Sequence, residues 1–280
     1  MERSETMPTW TEANLQVDGH QIHYHRSGGS KPPLILLHGF SDNGLCWIRA
    51  AQILEKDYDL IMPDAHGHGL LSYRVTPGQP LNLAADVADL IQTLDLEKPA
   101  LLGHSMGAST AASVAAAYPD LVGPILLEDP PWFDEMPRMT QEDASDETPN
   151  RWQWLLDLWD KPEAEIVAAG QSRHSTWAEI EFGPWAASKL QLDRNILTTL
   201  FHPVPWSEVV PKIICPSLLI TADPEQGGLV TPQLARQIAQ EWPPVEWVRI
   251  NGAGHNIRRE QFDAFIEVVT KFLRENYRPS

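Results

Sequence analysis

Five short apolar runs punctuate the chain: PPLILLHG (Pro32–Gly39), YDLIMPD (Tyr58–Asp64), PALLGHS (Pro99–Ser105), VGPILLEDP (Val122–Pro130) and PSLLITAD (Pro216–Asp223). Runs of this length without polar interruption suit strands buried on both faces, as in a parallel sheet covered by helices. Two further segments alternate apolar and polar positions. LQVDGHQIHYH, centred on Asp18-Gly19, reads as a hairpin. VEWVRINGAGH (Val245–His255) reads as an edge strand leading into a loop. Helical spacing lies between them, at Leu81–Leu94, Met106–Tyr118, Thr231–Trp242 and Glu260–Tyr277. Strand and helix alternate, which predicts an α/β fold: a mostly parallel sheet of about eight strands with helices on both faces.

The alternation stops between Pro130 and Trp206. That segment holds seven of the eleven tryptophans: Trp132, Trp152, Trp154, Trp159, Trp177, Trp185 and Trp206. It passes through the acidic QEDASDETP and then becomes rich in helix formers. The expected organisation is a core formed by residues 1–130 and 207–280, with residues 131–206 inserted after the sixth strand as a helical cap.

Composition narrows the function by exclusion. With 280 residues and a net charge of −17, the chain supports a sizeable core and offers nothing attractive to nucleic acid or to an anionic membrane face. No run is long enough to span a bilayer, and the N-terminal MERSETMPTW has no apolar signal region. A cytoplasmic protein is expected. Cys46 and Cys215 sit in apolar contexts and read as free thiols. His23 and His25 share one strand face and could ligate a metal, but the sequence shows no third ligand, so no metal and no cofactor are expected.

The candidate chemistry centres on Gly103-His104-Ser105-Met106-Gly107, a G-x-S-x-G pattern placed where a strand should turn abruptly into a helix. Such a turn brings neighbouring chains close, so its flanking positions must lack side chains. It would hold the serine oxygen above the sheet edge, at the positive end of the following helix. A serine hydroxyl needs a base to take its proton, and the base needs a carboxylate to fix its tautomer. His255 lies in the loop after the last strand, at the same sheet edge. His104 should point away from the serine and pack, and His66 and His68 should shape their own loop. Three carboxylates compete for the third role. Asp129 ends the strand that follows the serine helix, while Asp223 and Glu225 follow the strand after the insertion. Asp129 is favoured and Asp223 is the principal alternative. Glu128, just before Asp129, should point to the opposite side.

Four motifs in order, LLHGF (Leu36–Phe40), PDAHGHG (Pro63–Gly69), GHSMG and GAGHN (Gly252–Asn256), make the chain resemble the α/β-hydrolases with a serine nucleophile elbow. The resemblance covers about Asn14–Asp129 and Ser207–Phe272. It implies His255 as the catalytic histidine and an oxyanion hole built from the backbone N–H groups of Phe40 and Met106. An elbow serine, rather than an aspartate, favours acyl chemistry. The expected activity is therefore a serine hydrolase acting on small to medium apolar carboxylic esters or lactones through an acyl-enzyme on Ser105. The alternatives are a hydrolase of carbon–carbon or amide bonds, and a non-catalytic ligand receptor on the same scaffold. The partner is expected to be the small-molecule apolar ester or lactone substrate, with no nucleic acid and no membrane, and a homodimer is compatible with the sequence. Trp132, close after Asp129, is expected to line the substrate pocket.

Overall fold

A computed structural model of the chain describes residues 10–17, 20–70, 75–76, 80–133, 152–198 and 204–277. Its spine is one eight-stranded sheet. The strands are β1 (Thr11–Val17), β2 (His20–Arg26), β3 (Pro33–Leu37), β4 (Asp59–Pro63), β5 (Ala100–His104), β6 (Ile125–Glu128), β7 (Ser217–Thr221) and β8 (Val245–Arg249). Their spatial order is β1-β2-β4-β3-β5-β6-β7-β8. The β1–β2 and β2–β4 pairs are antiparallel, and every other pair is parallel. The hairpin is present as β1 and β2, although Asp18 and Gly19 at its turn lie outside the described residues.

The unbroken apolar runs are strands covered on both sides. Ile35, Leu37, Leu101, Ile125, Leu127 and Leu219 face one core. Their chain neighbours Leu34, Leu36, Ala100, Leu102, Leu126 and Leu218 face the other. The two-residue period thus divides each run between two layers, and both need apolar side chains. Helices α2 (Leu83–Thr93), α3 (Met106–Ala117) and α8 (Pro232–Glu241) cover the first layer; α1 (Ile48–Leu54) and α10 (Phe262–Asn276) cover the second. Helix α1 was not legible in the pattern, being only seven residues long. The last predicted helix, Glu260–Tyr277, is α10, and a further single turn, α9 (Ile257–Glu260), precedes it. Local signals set other boundaries. The Thr231 hydroxyl caps α8 by accepting from the Leu234 N–H, with Pro232 at the first helical position, and Asn82 caps α2 through the Ala85 N–H.

Between β6 and β7 lie α4 (Gln153–Trp159), α5 (Glu163–Arg173) and α6 (Glu179–Gln191), followed by the short α7 (Trp206–Val209). These helices carry an apolar cluster of their own, formed by Leu158, Ile166, Trp177, Phe182, Trp185 and Ala186. Helix α6 rests on the loop after β3. Ser188 Oγ and Lys189 Nζ both donate to the Ser41 carbonyl, at 3.0 and 2.6 Å, and Asn43 Nδ2 donates to Gln191 Oε1 at 2.8 Å.

Candidate active site

Ser105 stands at the junction of β5 and α3 with φ 51° and ψ −115°. A left-handed serine of this kind costs on the order of 1–3 kcal/mol and persists only where its surroundings enforce it. Two hydrogen bonds do so: the Ser105 N–H donates to the Glu128 carbonyl at 2.8 Å, and its own carbonyl accepts from the Ser109 N–H at 3.0 Å. The flanking glycines permit the turn by allowing backbone to meet backbone. A Cβ at Gly103 would lie 2.2 Å from the Gly107 carbonyl oxygen, and one at Gly107 would lie 2.1 Å from that of Leu37. Gly39 backs onto the same elbow, since a Cβ there would meet the His104 ring at 2.5 Å.

One strand over, the chain leaves β6 through Asp129, another residue with positive φ, at 42°. Its carboxylate is fully buried and receives several donors. The N–H groups of Leu229 and Val230 bond to Oδ1 at 3.1 and 3.2 Å, that of Leu229 also reaches Oδ2 at 2.9 Å, and His255 Nδ1 lies 2.7 Å from Oδ2. An ionised carboxylate only accepts, so His255 carries its proton on Nδ1 and presents a lone pair at Nε2. The His255 side chain is 30% exposed, so the imidazole has an open side. The structure thus brings Asp129 and His255 together at the rim that carries Ser105. In this state no hydrogen bond joins Ser105 Oγ to His255 among the described residues. The elbow and the histidine loop are instead linked through His104, whose Nε2 donates to the His255 carbonyl at 2.9 Å.

His104 is buried, its Nδ1 has no partner, and burial followed by the Arg258 charge holds its pKa well below the usual histidine range. It is therefore a neutral spacer between the two loops. His38 plays a similar part in the loop after β3. Its Nε2 accepts from the Ala65 N–H at 2.9 Å, so Nδ1 carries the proton that it donates to the Gly39 carbonyl at 2.8 Å. Phe40 follows directly and packs against Trp152 and His68, with ring centroids 4.5 and 5.6 Å away. Met106 is the first residue of α3, so its N–H has no partner four residues back within the helix.

The competing carboxylates lie elsewhere. Asp223 accepts from the Gly252 N–H at 2.6 Å and pairs with Arg249 at 3.2 Å, which fixes the loop leading to His255 without touching the imidazole. Glu225 is exposed in a single 3₁₀ turn. Trp132 is buried in the core, its ring 6.3 Å from that of Trp242. A solvent-open cleft lies beside the start of α3, walled in part by Leu37, Val87, Leu90, Met106 and Thr110. Ser105, His255 and Trp132 are not among its walls, so this cleft is not the pocket expected above the serine.

Sequence reasoning missed a buried ion cluster on the far side of the β6 tip. Asp42 lies 3.1 Å from each of Lys189, Arg258 and Arg259. Glu128 accepts from the Arg258 backbone N–H at 2.8 Å and faces the Arg258 guanidinium at 3.3 Å. It points away from Asp129, as strand alternation requires. Burial pushes the Asp42 pKa up, but Arg259, Lys189 and Arg258 overbalance it and hold the group well below the usual carboxylate range. Burial dominates for Lys189, whose pKa is lowered despite Asp42. The one signal in the chain was the Arg258-Arg259 pair immediately after GAGHNI.

The sequence matches the family model described as "Alpha/beta hydrolase family" over residues 34–268. The chain is 27% identical over 276 residues to N-formylmaleamate deformylase of Pseudomonas putida, covering 93% of this chain and 95% of that one. It is 35% identical over 265 residues to 2-(acetamidomethylene)succinate hydrolase of Mesorhizobium japonicum, covering 89% and 90%. Its fold is that of the N-formylmaleamic acid deformylase from Pseudomonas putida S16, with a TM-score of 0.76 at 22% identity over 92% of this chain and 100% of the other. The chain belongs to the alpha/beta hydrolase family.

Proposed function

We propose that the chain is a serine hydrolase that cleaves an acyl bond through an acyl-enzyme on Ser105, with His255 as base and Asp129 as the acid that orients it. The observation that carries this reading is the 2.7 Å contact between His255 Nδ1 and the buried Asp129, at the strand tip beside the strained Ser105. In the first half-reaction His255 Nε2 takes the Ser105 hydroxyl proton as Oγ bonds to the carbonyl carbon. The oxygen of the tetrahedral intermediate is met by the Phe40 and Met106 N–H groups, each donor of this type being worth about 3–4 kcal/mol. Collapse breaks the bond to the leaving group, which departs with the proton from His255. In the second half-reaction His255 deprotonates water, the new oxygen attacks the acyl carbon, and the acid leaves as Ser105 regains its proton. Proton transfer requires the Ser105–His255 contact to close on substrate binding, as is common for catalytic hydrogen bonds that are long in the free enzyme.

The substrate reading is a small ester or lactone, with helices α4–α6 as the cap over Ser105. A second reading, hydrolysis of an N-acyl bond, draws support from the two relatives matched along nearly their whole lengths, whose names describe N-acyl compounds bearing carboxylates. Both readings use the same residues. The deciding experiment is a panel of chromogenic esters, lactones and N-formyl or N-acetyl amides, run with the wild type and with Ser105→Ala. Turnover should vanish in the variant, and an aryl phosphonate should add once to the wild type only. Equal rates in both proteins would overturn the reading. Ligand binding without turnover would favour a receptor.

A further inference from the structure

A second chemical cluster lies at the antiparallel margin of the sheet. In the β1–β2 pair, Glu12 stands directly opposite His25, and Asn14 opposite His23. Strand alternation therefore places Glu12, His23 and His25 on one face, and their donor atoms all lie within 4.8 Å of one another. His23 is fully buried and fixed. Its Nδ1 hydrogen-bonds Asp64 Oδ2 at 2.7 Å, which leaves Nε2 as the outward donor atom of the neutral ring. That Nε2 is buried, makes no hydrogen bond, and lies 3.3 Å from Glu12 Oε1. The His25 ring stands edge-on to it, 4.8 Å between centroids. A buried nitrogen without a hydrogen bond normally needs an explanation. Here it faces a carboxylate and a second imidazole, and its other nitrogen is held by a carboxylate, which is how metal-binding histidines are ordinarily oriented.

We propose that Glu12, His23 and His25 form a binding site for a borderline divalent cation such as Zn²⁺, with Asp64 positioning His23. Two imidazoles and one carboxylate suit Zn²⁺ and its first-row neighbours, whereas Mg²⁺ and Ca²⁺ take oxygen ligands. Bonds of about 2.1 Å in a tetrahedron separate ligand atoms by about 3.4 Å, so the present spacing must contract slightly. Glu12 Oε1 already sits 3.3 Å from His23 Nε2, so the contraction falls on His25, and Glu12, whose side chain is 57% exposed on an edge strand, is free to follow that ring while His23 stays in place. The same exposure gives the ion a way in and leaves the fourth position to water. Asp64 also accepts from the N–H groups of Gly44 and Leu70, both at 2.8 Å, so an ion on His23 would brace the 64–70 loop as well as the hairpin.

The test uses tag-free, chelator-stripped full-length protein titrated with Co²⁺ and then Zn²⁺. One equivalent of Co²⁺ should give visible absorption bands of a low-coordinate site, Zn²⁺ should displace it, and Zn²⁺ should raise the melting temperature by several degrees. Glu12→Gln and His25→Ala should each weaken binding at least tenfold. Glu12→Gln alters an exposed side chain, and its metal-free melting temperature should match the wild type, so it decides the matter even if a histidine variant misfolds. Absence of saturable binding would overturn the site, as would wild-type affinity in both variants, which would place the ion elsewhere.

Discussion

Asp129 and Asp223 end neighbouring strands, and their partners assign them different work. Asp129 holds the Nδ1 proton of His255, so replacing it with asparagine places an amide where only an acceptor keeps the productive tautomer. Asp129→Asn should lower kcat by about 10⁴-fold with the fold intact. Asp223 holds the Gly252 N–H and Arg249, and Asp223→Asn keeps an oxygen for the first of these. Its kcat should stay within several-fold of wild type. Steady-state kinetics on any substrate that turns over would show the ranking, and the reverse order would remove Asp129 from the mechanism. The sequence left this choice open because spacing after a strand does not reveal where a loop carboxylate will reach. It did reveal the glycines around Ser105, because a Cβ at Gly107 or Gly103 would fall 2.1 or 2.2 Å from a backbone oxygen, so only glycine fits there.

At the scale of elements, two glycines answer the same substitution differently. At Gly107 a methyl group would strike the backbone of β3 and push α3 off the sheet, so Gly107→Ala should destabilise the protein by several kcal/mol and abolish activity. Gly183 lies exposed inside α6 and meets no atom beyond its chain neighbours, but a Cβ there would crowd the ring of Pro184, which offsets the helix-propensity gain, so Gly183→Ala should change stability by less than about 1 kcal/mol. Urea denaturation of the pair reads both effects, and a neutral Gly107→Ala would refute the packing argument. The strands were legible because an apolar run divided between two cores leaves an unmistakable pattern. The ion cluster was not, because Asp42 and Arg258 are 216 positions apart and each alone resembles a surface charge. The partner of His25 was equally hidden, since the register that sets Glu12 opposite it is fixed by strand pairing rather than by composition. Asp42 ties the loop after β3 to two helices by holding Lys189 of α6 and both arginines of α9. Removing one side of a buried ion group leaves the other uncompensated. Asp42→Ala should therefore cost about 3–5 kcal/mol, and a loss below 1 kcal/mol in the same assay would mean the cations are satisfied without it.

For the whole molecule, the buried histidines set how stability follows pH. Burial, then the neighbouring His38, pushes the His68 pKa down to about 3. Burial likewise lowers His38 and carries His104 well below the usual range. In the unfolded chain each returns to about 6.5. Below that pH the unfolded state binds protons that the folded state refuses, so the stabilisation is complete above about 6.5 and is lost as the pH falls toward the folded values. His23 works in the opposite sense. Burial lowers its pKa, but Asp64 and Glu12 outweigh burial and raise it, so its contribution is present below about 6.5 and fades as pH rises through its folded value. Burial lowers His25 and His174 as well, so five lowered histidines against one raised leave a net loss on acidification, each full proton being worth about 1.4 kcal/mol per pH unit. Acid also neutralises part of the −17 charge and relieves surface repulsion, but that term is screened within about 8 Å at physiological salt while the buried imidazoles are not. In chelator-treated protein at 0.15 M salt, the urea midpoint should fall steadily from pH 7 to 5. His68→Gln should flatten that fall by removing one titrating group. A midpoint that is constant or rises on acidification would mean that these histidines are not held neutral in the folded protein.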